Sequence, residues 1–326
     1  MSQFWDRYPS IQKELEKVSV LIDKANESSE PYLNESLDYL MLAGGKMIRP
    51  AFVLLGSGFG PQEDENREKL IHLAASIETL HMATLVHDDI IDESKMRRGQ
   101  ESIQSKYGKP YAVYMGDYLF TQCFMMLIDY DFKQENIKRV ANAMKKVCVG
   151  EMMQYQRRYK IDKSTKNYLK VISGKTAALM AISLCVGAYE SGASEKTAKL
   201  LGRIGYNIGM AFQIIDDLLD YNGDYKKFGK DTRADILKGY YTLPIIRSIG
   251  KDGGKEMENL LAQNNLSEDD ISHLIQITKQ TGALKETEVL AQKYTDRALK
   301  YTKQLPDCQA KSVLEEIIPV MLKRKQ

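Results

Sequence analysis

Two aspartate-rich stretches repeat one pattern in this chain of 326 residues: LVHDDIID carries Asp88, Asp89 and Asp92, and FQIIDDLLD carries Asp216, Asp217 and Asp220. On a helix, residues i and i+4 share a face, so the first and last carboxylates of each stretch point the same way. One acidic stretch is typical of a solvated helix face. Both of these, however, end apolar segments, which predicts a position at the mouth of a buried region. Like charges about 4 Å apart repel by about 4 kcal/mol at an effective dielectric near 20, so bound positive charge is expected.

The ligand types favour a hard metal cation. Carboxylates without a neighbouring His/Cys set suit Mg²⁺, which keeps water and phosphate oxygens among its ligands, better than a closed Ca²⁺ cage. The spacing does not match an EF-hand loop. Two such helices facing each other would hold several Mg²⁺ ions, and a diphosphate would be the natural bridging ligand.

Phosphate binding also needs cations, and several basic residues lie beside glycines or after an aspartate stretch. They are Lys46 and Arg49 in GGKMIRP, Arg97 and Arg98 in KMRRGQ, Lys175 in ISGKTAAL and Lys230 in FGKD. Helix register is expected to be lost at RRGQ. Each residue alone is typical of an ordinary surface cation. As a set they indicate two phosphate sites, where arginine binds two oxygens at once and lysine acts as a point charge.

Two uncharged candidates have structural alternatives. His81 precedes Asp88 by seven residues and shares its helix face, so it is either a donor to a second diphosphate or a core histidine. Gln213 lies one turn before Asp216, where it either donates to a substrate oxygen or joins two helices by a buried hydrogen bond. Thr176, next to Lys175, belongs to the same candidate set.

The elements that carry these residues are predicted to be helices. Apolar residues at Ile11, Leu15, Val18 and Ile22 have helical spacing, the same period recurs later, and strand-like alternation is nearly absent. Turn signals such as SSEP, AGGK, YGKP and GKDGGK divide roughly ten to thirteen helices. Because no Pro/Ser-rich linker interrupts them, a single all-α domain over residues 1–326 is expected.

Composition excludes several classes of protein. Hydrophobic residues make up 43% and charged residues 28%, as in a globular protein with a core, and a net charge of +2 argues against a nucleic-acid binder. Four scattered cysteines without a CxxC pair predict a reducing cytoplasm. The first residues do not resemble a signal peptide, and the longest weakly polar run, 176–189, is too short to span a bilayer, so it predicts a buried helix.

Five motifs together resemble one family, the all-trans polyprenyl (isoprenyl) diphosphate synthases, and among them the medium- and long-chain bacterial members. GGKMIRP, LVHDDIIDESKMRRG, GKTA, FQIIDDLLDY and GKD occur in that family's order and spacing, and the resemblance covers most of the chain. It implies an all-α bundle around a central substrate cavity, the isoprenoid synthase fold, usually as a dimer. It also implies Mg²⁺-dependent 1′-4 condensation of isopentenyl diphosphate with an allylic diphosphate.

The resemblance assigns roles residue by residue. Asp88, Asp92 and Asp216 would hold three Mg²⁺ ions, and Asp89, Asp217, Asp220 and Lys175 would assist catalysis. Isopentenyl diphosphate would be bound by Lys46, Arg49, His81 and Arg98. The allylic diphosphate would be bound by Arg97, Lys175, Thr176, Gln213 and Lys230. The two arginines after the first motif would thus contact phosphate instead of neutralising the aspartates.

One departure and one length signal stand out. Many relatives have a basic residue before TLP, where this chain reads KGYYTLP, so Lys238 or a tyrosine such as Tyr240 would take its place. Ala83 and Thr84, one turn before Asp88, are small and would leave a tunnel open for the growing tail. The expected product is therefore longer than farnesyl, C20 to C40, and would pass to membrane enzymes, although no membrane span is expected in this chain.

Four rival interpretations have weaker support. A class I terpene cyclase would not need an isopentenyl site, and a di-iron bundle needs a second partner for the ExxH formed by Glu78 and His81. A regulatory subunit should have eroded aspartate motifs, whereas these are intact. A catalytic subunit that works only with a small partner stays open, so either a homodimer or a heterodimer is expected.

Overall fold

The chain folds almost entirely into α-helices in a computed structural model that describes residues 3–61, 66–221, 234–263 and 266–322. A 3₁₀ turn at Gln3–Trp5 precedes the helices. The helices are α1 (Pro9–Asn26), α2 (Pro31–Leu42), α3 (Ile48–Ser57), α4 (Arg67–Ile91), α5 (Ile103–Lys106), α6 (Lys109–Ile128), α7 (Gln134–Tyr155), α8 (Thr165–Ile172), α9 (Ala178–Glu190), α10 (Glu195–Leu219), α11 (Ala234–Leu237), α12 (Leu243–Ser248), α13 (Gly254–Leu261), α14 (Glu268–Gln280), α15 (Ala283–Thr302) and α16 (Gln309–Leu322). A π-helical turn, Ser173–Ala177, joins α8 to α9, and strands β1 (Met96–Arg97) and β2 (Gln100–Glu101) pair antiparallel.

Helix starts follow the sequence signals closely. Proline lies in the first turn of α1, α2, α6 and α12, where its fixed φ fits and its missing N–H would have no helical partner. Ser267 and Asp270 form a capping box at α14. The helices outnumber the ten to thirteen predicted, because single-turn elements such as α5 and α11 have too few residues to show a period.

The fold divides into two compact units, and residues 1–140, 183–201 and 306–313 form the first. In this unit α4 packs against α1, α3 and α6. The apolar face predicted for α1 is buried, and Trp5, Phe52 and Leu73 are among the largest side chains of the core. The first aspartate stretch therefore ends a helix that is packed on several sides.

The second unit contains residues 141–182, 202–305 and 314–326. Helix α12 packs against α8, α14 and α15. Buried side chains from Tyr221 to Ile277 form one apolar cluster there, with Ile245, Met257 and Leu274 fully enclosed. The second aspartate stretch, at the end of α10, leads directly into this cluster through Tyr221. The prediction of one domain over residues 1–326 stays a prediction.

The segment Thr165–Glu190 is the one helical stretch, among the residues with described structure, that is long and apolar enough to cross a membrane. Its most apolar window is 67% buried inside the protein. Burial of this extent is what a core helix shows, which agrees with the buried helix predicted for 176–189.

Candidate active site

The first aspartate motif, residues 88–92, lies at the C-terminal end of α4. The amide of Asp92 donates to the carbonyl of Asp88 over 2.8 Å, so the helical repeat still relates these two residues. Both side chains are half-buried, whereas Asp89 is only 3% exposed. The outer two carboxylates therefore remain partly accessible on one face, and the middle one is held within the protein.

Asp89 is held by Arg97. The guanidinium donates from Nε to Oδ2 and from Nη2 to Oδ1, each over 2.6 Å, which is a bidentate ion pair. The amide of Ser94 also donates to the backbone carbonyl of Asp89. Arg97 thus neutralises one aspartate of the motif in this structure, which differs from the expectation that both arginines would be left for phosphate.

The arginines lie on a tight hairpin that follows α4. Strands β1 and β2 pair Met96 with Glu101 and Arg97 with Gln100. The two turn residues, Arg98 and Gly99, both have positive φ, 51° and 84°, as a two-residue hairpin of the I′ kind requires. Helix register is therefore lost before RRGQ, and the hairpin points Arg97 and Arg98 in different directions.

Arg98 packs over the loop between α2 and α3. A Cβ atom on Gly45 would lie 2.8 Å from Nη1 of Arg98, so the missing side chain makes room for the guanidinium. This contact brings the GGKMIRP motif and the RRGQ motif together within the first unit. The double glycine thus has a steric role beyond ending α2.

Arg49, Arg97, Arg98, His81 and Glu78 form an arginine cluster beside the first motif. Burial lowers the pKa of Arg49 to about 10, while the charge of Glu78 opposes that change and Arg98 adds to it. Burial, followed by the charges of Arg49, Arg98 and Arg97, lowers the pKa of His81 well below its usual value. His81 is therefore neutral near pH 7 and can donate one ring hydrogen.

The buried acid of this cluster is Glu78, which is 7% exposed. Burial raises the pKa of Glu78, although Arg49 and Arg98 counteract this. The Nε of Arg49 and one carboxylate oxygen of Glu78 are buried without a hydrogen-bond partner in the structure. Arg49 and Arg98 act on Glu78, and Arg97 pairs with Asp89. These three arginines against two acids leave excess positive charge, which suits an anionic ligand.

The second aspartate motif, residues 216–220, lies at the end of α10. As in the first motif, its outer aspartates are half-buried and its middle one is buried. Asp216 and Asp220 are half-buried, and Asp217 is 6% exposed. Tyr168 donates from its hydroxyl to Oδ2 of Asp217 over 2.6 Å, and Gln213 donates from Nε2 to Oδ1 over 2.9 Å. Burial raises the pKa of Asp217 to about 7, and the two hydrogen bonds lower it again in part.

Gln213 continues these contacts to the π turn. Its Oε1 accepts a hydrogen bond from the hydroxyl of Thr176 over 2.6 Å. Thr176, Gln213, Asp217 and Tyr168 form a continuous polar chain in the second unit. Of the two roles open for Gln213, this structure contains the hydrogen bond between helical segments.

Lys175 lies in the same π turn, which the helical period of the sequence does not predict. Its Nζ donates to Glu151 Oε2 over 3.0 Å and to Gln154 Oε1 over 2.9 Å, both on α7. A Cβ on Gly174 would lie 2.6 Å from the Lys146 carbonyl, so glycine permits the close approach of α7. A π turn widens a helix locally and is frequent at functional sites, and here it directs Lys175 and Thr176 to different partners.

The remaining predicted residues have separate surroundings. Ala83 has no exposed surface, and Thr84 is half-buried with its hydroxyl donating to the His81 carbonyl. Lys46 is exposed. The Lys238 carbonyl accepts a hydrogen bond from Arg158 Nε over 2.8 Å. Lys230 lies outside the described residues.

Arg158 had no signal in the sequence, because it follows α7 and is 80 residues from its partner. Its guanidinium carbon lies 5.2 Å from the centre of the Tyr240 ring, within the range of a cation–π contact. It is thus a cation that the fold brings to the KGYY segment, in addition to Lys238 itself.

The carboxylates fit a magnesium ion. Mg²⁺ usually takes one or two protein carboxylates and completes its six oxygens with water and phosphate. Among described residues, no group of three or more His, Cys, Asp and Glu could hold a metal by itself. Asp88 with Asp92, and separately Asp216, are half-buried oxygen donors of the kind that Mg²⁺ shares with a phosphate ligand.

Comparison with known proteins identifies the family. The family model described as "Polyprenyl synthetase" matches residues 30–278. Component 2 of heptaprenyl diphosphate synthase from Bacillus subtilis is 33% identical over 98% of this chain and 90% of its own length. The Geobacillus stearothermophilus protein of that name is 34% identical, over 97% and 98%.

Solved structures agree with these sequence matches. Geranylgeranyl pyrophosphate synthase from Lactobacillus brevis superposes with a TM-score of 0.92 and 34% identity, covering 99% of both chains. Heptaprenyl diphosphate synthase from Staphylococcus aureus gives 0.90 and 34%, covering 97% of this chain and 99% of its own. The all-α prediction and the family resemblance are therefore confirmed, and the chain is a prenyltransferase that belongs to the polyprenyl synthetase family.

Proposed function

We propose that this chain joins isopentenyl diphosphate to an allylic diphosphate in a Mg²⁺-dependent 1′-4 condensation that yields an all-trans polyprenyl diphosphate. The observation that carries the proposal is the arginine cluster of the first unit. Its excess positive charge, the exposed Lys46 on the adjoining loop and a neutral His81 donor match the oxygens of a diphosphate. We assign isopentenyl diphosphate to this site.

We assign the allylic diphosphate to the aspartate motifs and to the polar residues of the π turn. Asp88, Asp92 and Asp216 would hold Mg²⁺, which supplies electrostatic stabilisation of the departing diphosphate. Lys175 lies half-buried and adds a positive charge for the same group. Arg97, Thr176, Gln213 and Lys230 stay assigned to this diphosphate, and Arg97 reaches it by giving up part of its pair with Asp89.

The reaction breaks the bond between the allylic carbon and the diphosphate oxygen. The alkene of isopentenyl diphosphate attacks the developing carbocation, a carbon–carbon bond forms, and one proton is lost to restore a double bond. We assign the departing diphosphate as the base that accepts this proton. The buried residues around each motif exclude water, which would otherwise capture the cation.

The middle aspartates are engaged by neighbouring side chains and take assisting roles. Asp89 fixes Arg97, and Asp217 fixes Gln213 and Tyr168, so neither is available in full to a metal ion. Asp220 flanks Asp216 by one helical turn and shares its face. We therefore place the primary metal contacts on Asp88, Asp92 and Asp216, with the other three in assisting roles.

The product is proposed to be longer than farnesyl, in the range C20 to C40. This rests on the small side chains of Ala83 and Thr84 one turn before Asp88. The relatives named as component 2 of heptaprenyl diphosphate synthase support an assembly in which this chain works with a small partner subunit. A homodimer is the alternative assembly. The four cysteines are unpaired, which supports a cytoplasmic location.

Substitution of Arg98 tests the isopentenyl site. Arg98→Gln removes a charge-assisted contact worth about 1.5–3 kcal/mol, so the KM for isopentenyl diphosphate should rise about 10- to 100-fold. The KM for the allylic substrate should stay within about twofold. Arg139→Gln is the matched control, because Arg139 stacks on Tyr189 and serves no proposed site. Equal KM values in the Arg98 variant and the parent would contradict the assignment.

A further inference from the structure

The single tryptophan of the chain contacts the loop that carries Lys46. Trp5 lies in the 3₁₀ turn at the start of the described chain and is 1% exposed. Its indole N–H donates to the Lys46 carbonyl over 2.5 Å, across 41 residues of sequence. A buried indole N–H usually needs a hydrogen-bond partner. Here the partner lies on the loop between α2 and α3, which we assign to isopentenyl diphosphate.

The carbonyl that accepts this hydrogen bond precedes a strained residue. Met47 has φ 49° and ψ 37°, a left-handed conformation that residues other than glycine seldom adopt. Such a conformation persists only where neighbouring contacts impose it. The indole fixes the peptide between Lys46 and Met47. Met47 is the N-cap residue of α3, and the second residue of that helix is Arg49.

Aromatic neighbours keep the indole in place. The Phe4 and Trp5 rings meet edge-on, with 4.8 Å between their centroids. The ring of Tyr8, which directly precedes α1, has its centroid 6.2 Å from that of Trp5. The Nζ of Lys46 is 6.0 Å from the centre of the Phe4 ring. Both the backbone and the side chain of Lys46 therefore adjoin this aromatic group.

The neighbouring residue of the loop, Gly45, packs against Arg98. The loop thus contacts both a buried indole and a cation assigned to phosphate. Loss of the indole hydrogen bond would free the Lys46 peptide while leaving Arg98 and both aspartate motifs unchanged. Loss of this hydrogen bond should therefore change the KM for isopentenyl diphosphate and not the KM for the allylic substrate.

We propose that Trp5 is a positioning residue for isopentenyl diphosphate, acting through the Lys46 carbonyl, and that its fluorescence reports the occupancy of that site. The inference rests on the proposed function of the arginine cluster. It adds a residue that is distant in sequence from every motif, and it adds a direct signal of binding. The allylic diphosphate is assigned to other residues and should not depend on the indole.

Kinetics of Trp5→Phe provide the first test. An aromatic ring is kept, although it is smaller than indole, and the N–H is lost. The KM for isopentenyl diphosphate should therefore rise about tenfold, which corresponds to one net hydrogen bond. The allylic KM should change by less than about twofold. Val18→Ala is the control, because it opens a buried site on α1 without touching Lys46. An unchanged isopentenyl KM, equal changes for both substrates, or the same change in the control would overturn the inference.

Fluorescence of the unsubstituted chain provides the second test and does not require a folded variant. Titration with isopentenyl diphosphate alone should change the tryptophan emission with saturation, and farnesyl diphosphate alone should not. Lys46→Ala should shift the half-saturating concentration upwards. No emission change at saturating isopentenyl diphosphate would overturn the inference. Failure of the unsubstituted chain to turn over any allylic primer, with the emission change intact, would instead contradict the proposed function.

Discussion

The two aspartate motifs have the same sequence pattern and different electrostatic surroundings. In the first unit Asp89 is buried in a bidentate pair with Arg97, so its charge is balanced. In the second unit Asp217 is equally buried but receives hydrogen bonds from neutral Gln213 and Tyr168, and its pKa rises to about 7. One pattern is thus supported by an ion pair in one unit and by a polar chain in the other.

The comparison separates the middle aspartate of each motif from the two outer ones. In both motifs the middle residue is buried, and the outer residues are half-buried. The surroundings of the middle residue decide whether the motif carries a permanent charge or one that titrates near neutral pH. This difference predicts unequal responses to substitution and to pH.

The largest effect should come from the outer aspartates, where the two motifs should respond alike. Asp88→Ala and Asp216→Ala should each lower kcat/KM by about 10³-fold or more, because metal-ion stabilisation of a leaving group is worth several kcal/mol. The helical circular dichroism signal should be retained. Activity near the parent level in either variant would refute the metal role of that residue.

A second prediction concerns product length and involves only the first unit. Ala83→Phe should shorten the main product by at least one five-carbon unit, as seen by product chromatography, because the ring would fill space next to the growing tail. Ala83 is fully buried, so thermal unfolding should be measured as well. Ala198→Phe, at another fully buried alanine, is the control for overpacking. An unchanged chain length in a folded Ala83 variant would contradict this placement.

The middle aspartates should differ in stability. Asp89→Asn removes one member of a charged pair, and the free energy of unfolding should fall by about 2 kcal/mol at neutral pH. In Asp217→Asn the amide resembles the protonated carboxyl that the surroundings of Asp217 favour. The free energy of unfolding should therefore fall by less than about 1 kcal/mol. Urea unfolding of both variants would measure this. Equal losses would remove the distinction between an ion pair and a polar chain.

The last prediction is a pH dependence specific to Asp217. Its carboxyl has an unfolded pKa near 3.8 and a folded pKa of about 7, so between these values the folded chain binds a proton that the unfolded chain has lost. Linkage then makes this group's contribution to the free energy of unfolding fall as pH rises from about 4 to about 7. Urea unfolding between about pH 4 and pH 7 should show a fall in the free energy of unfolding of the parent. The Asp217→Asn variant should lack the part of this fall that Asp217 causes. Identical slopes in parent and variant would contradict the raised pKa.

Residue spacing was enough to predict the helices and a loss of helix near RRGQ, although α4 already ends at Ile91. These features depend on neighbours within a few turns, which periodicity reports directly. The bidentate pair of Asp89 with Arg97 could have been predicted, because only a short hairpin separates the two residues. The sequence interpretation instead assigned both arginines to phosphate. A two-residue turn with glycine after Arg98 was the available signal.

Partners from distant sequence could not be predicted. Tyr168 is 49 residues from Asp217, and Trp5 is 41 residues from Lys46. Glu151 and Gln154 reach Lys175 only because glycines at 150 and 174 let α7 approach a π turn. A helical period indicates which face is buried, whereas the identity of the residue across from it depends on packing of remote segments.

The central claim is tested most directly by turnover of the purified chain. The chain is incubated with isopentenyl diphosphate, Mg²⁺ and each of several allylic diphosphates, alone and with a small partner subunit, and the products are sized by chromatography. Mg²⁺-dependent formation of polyprenyl diphosphates longer than farnesyl is the predicted result. Absence of any condensation product with every allylic primer, with and without the partner, would contradict the account.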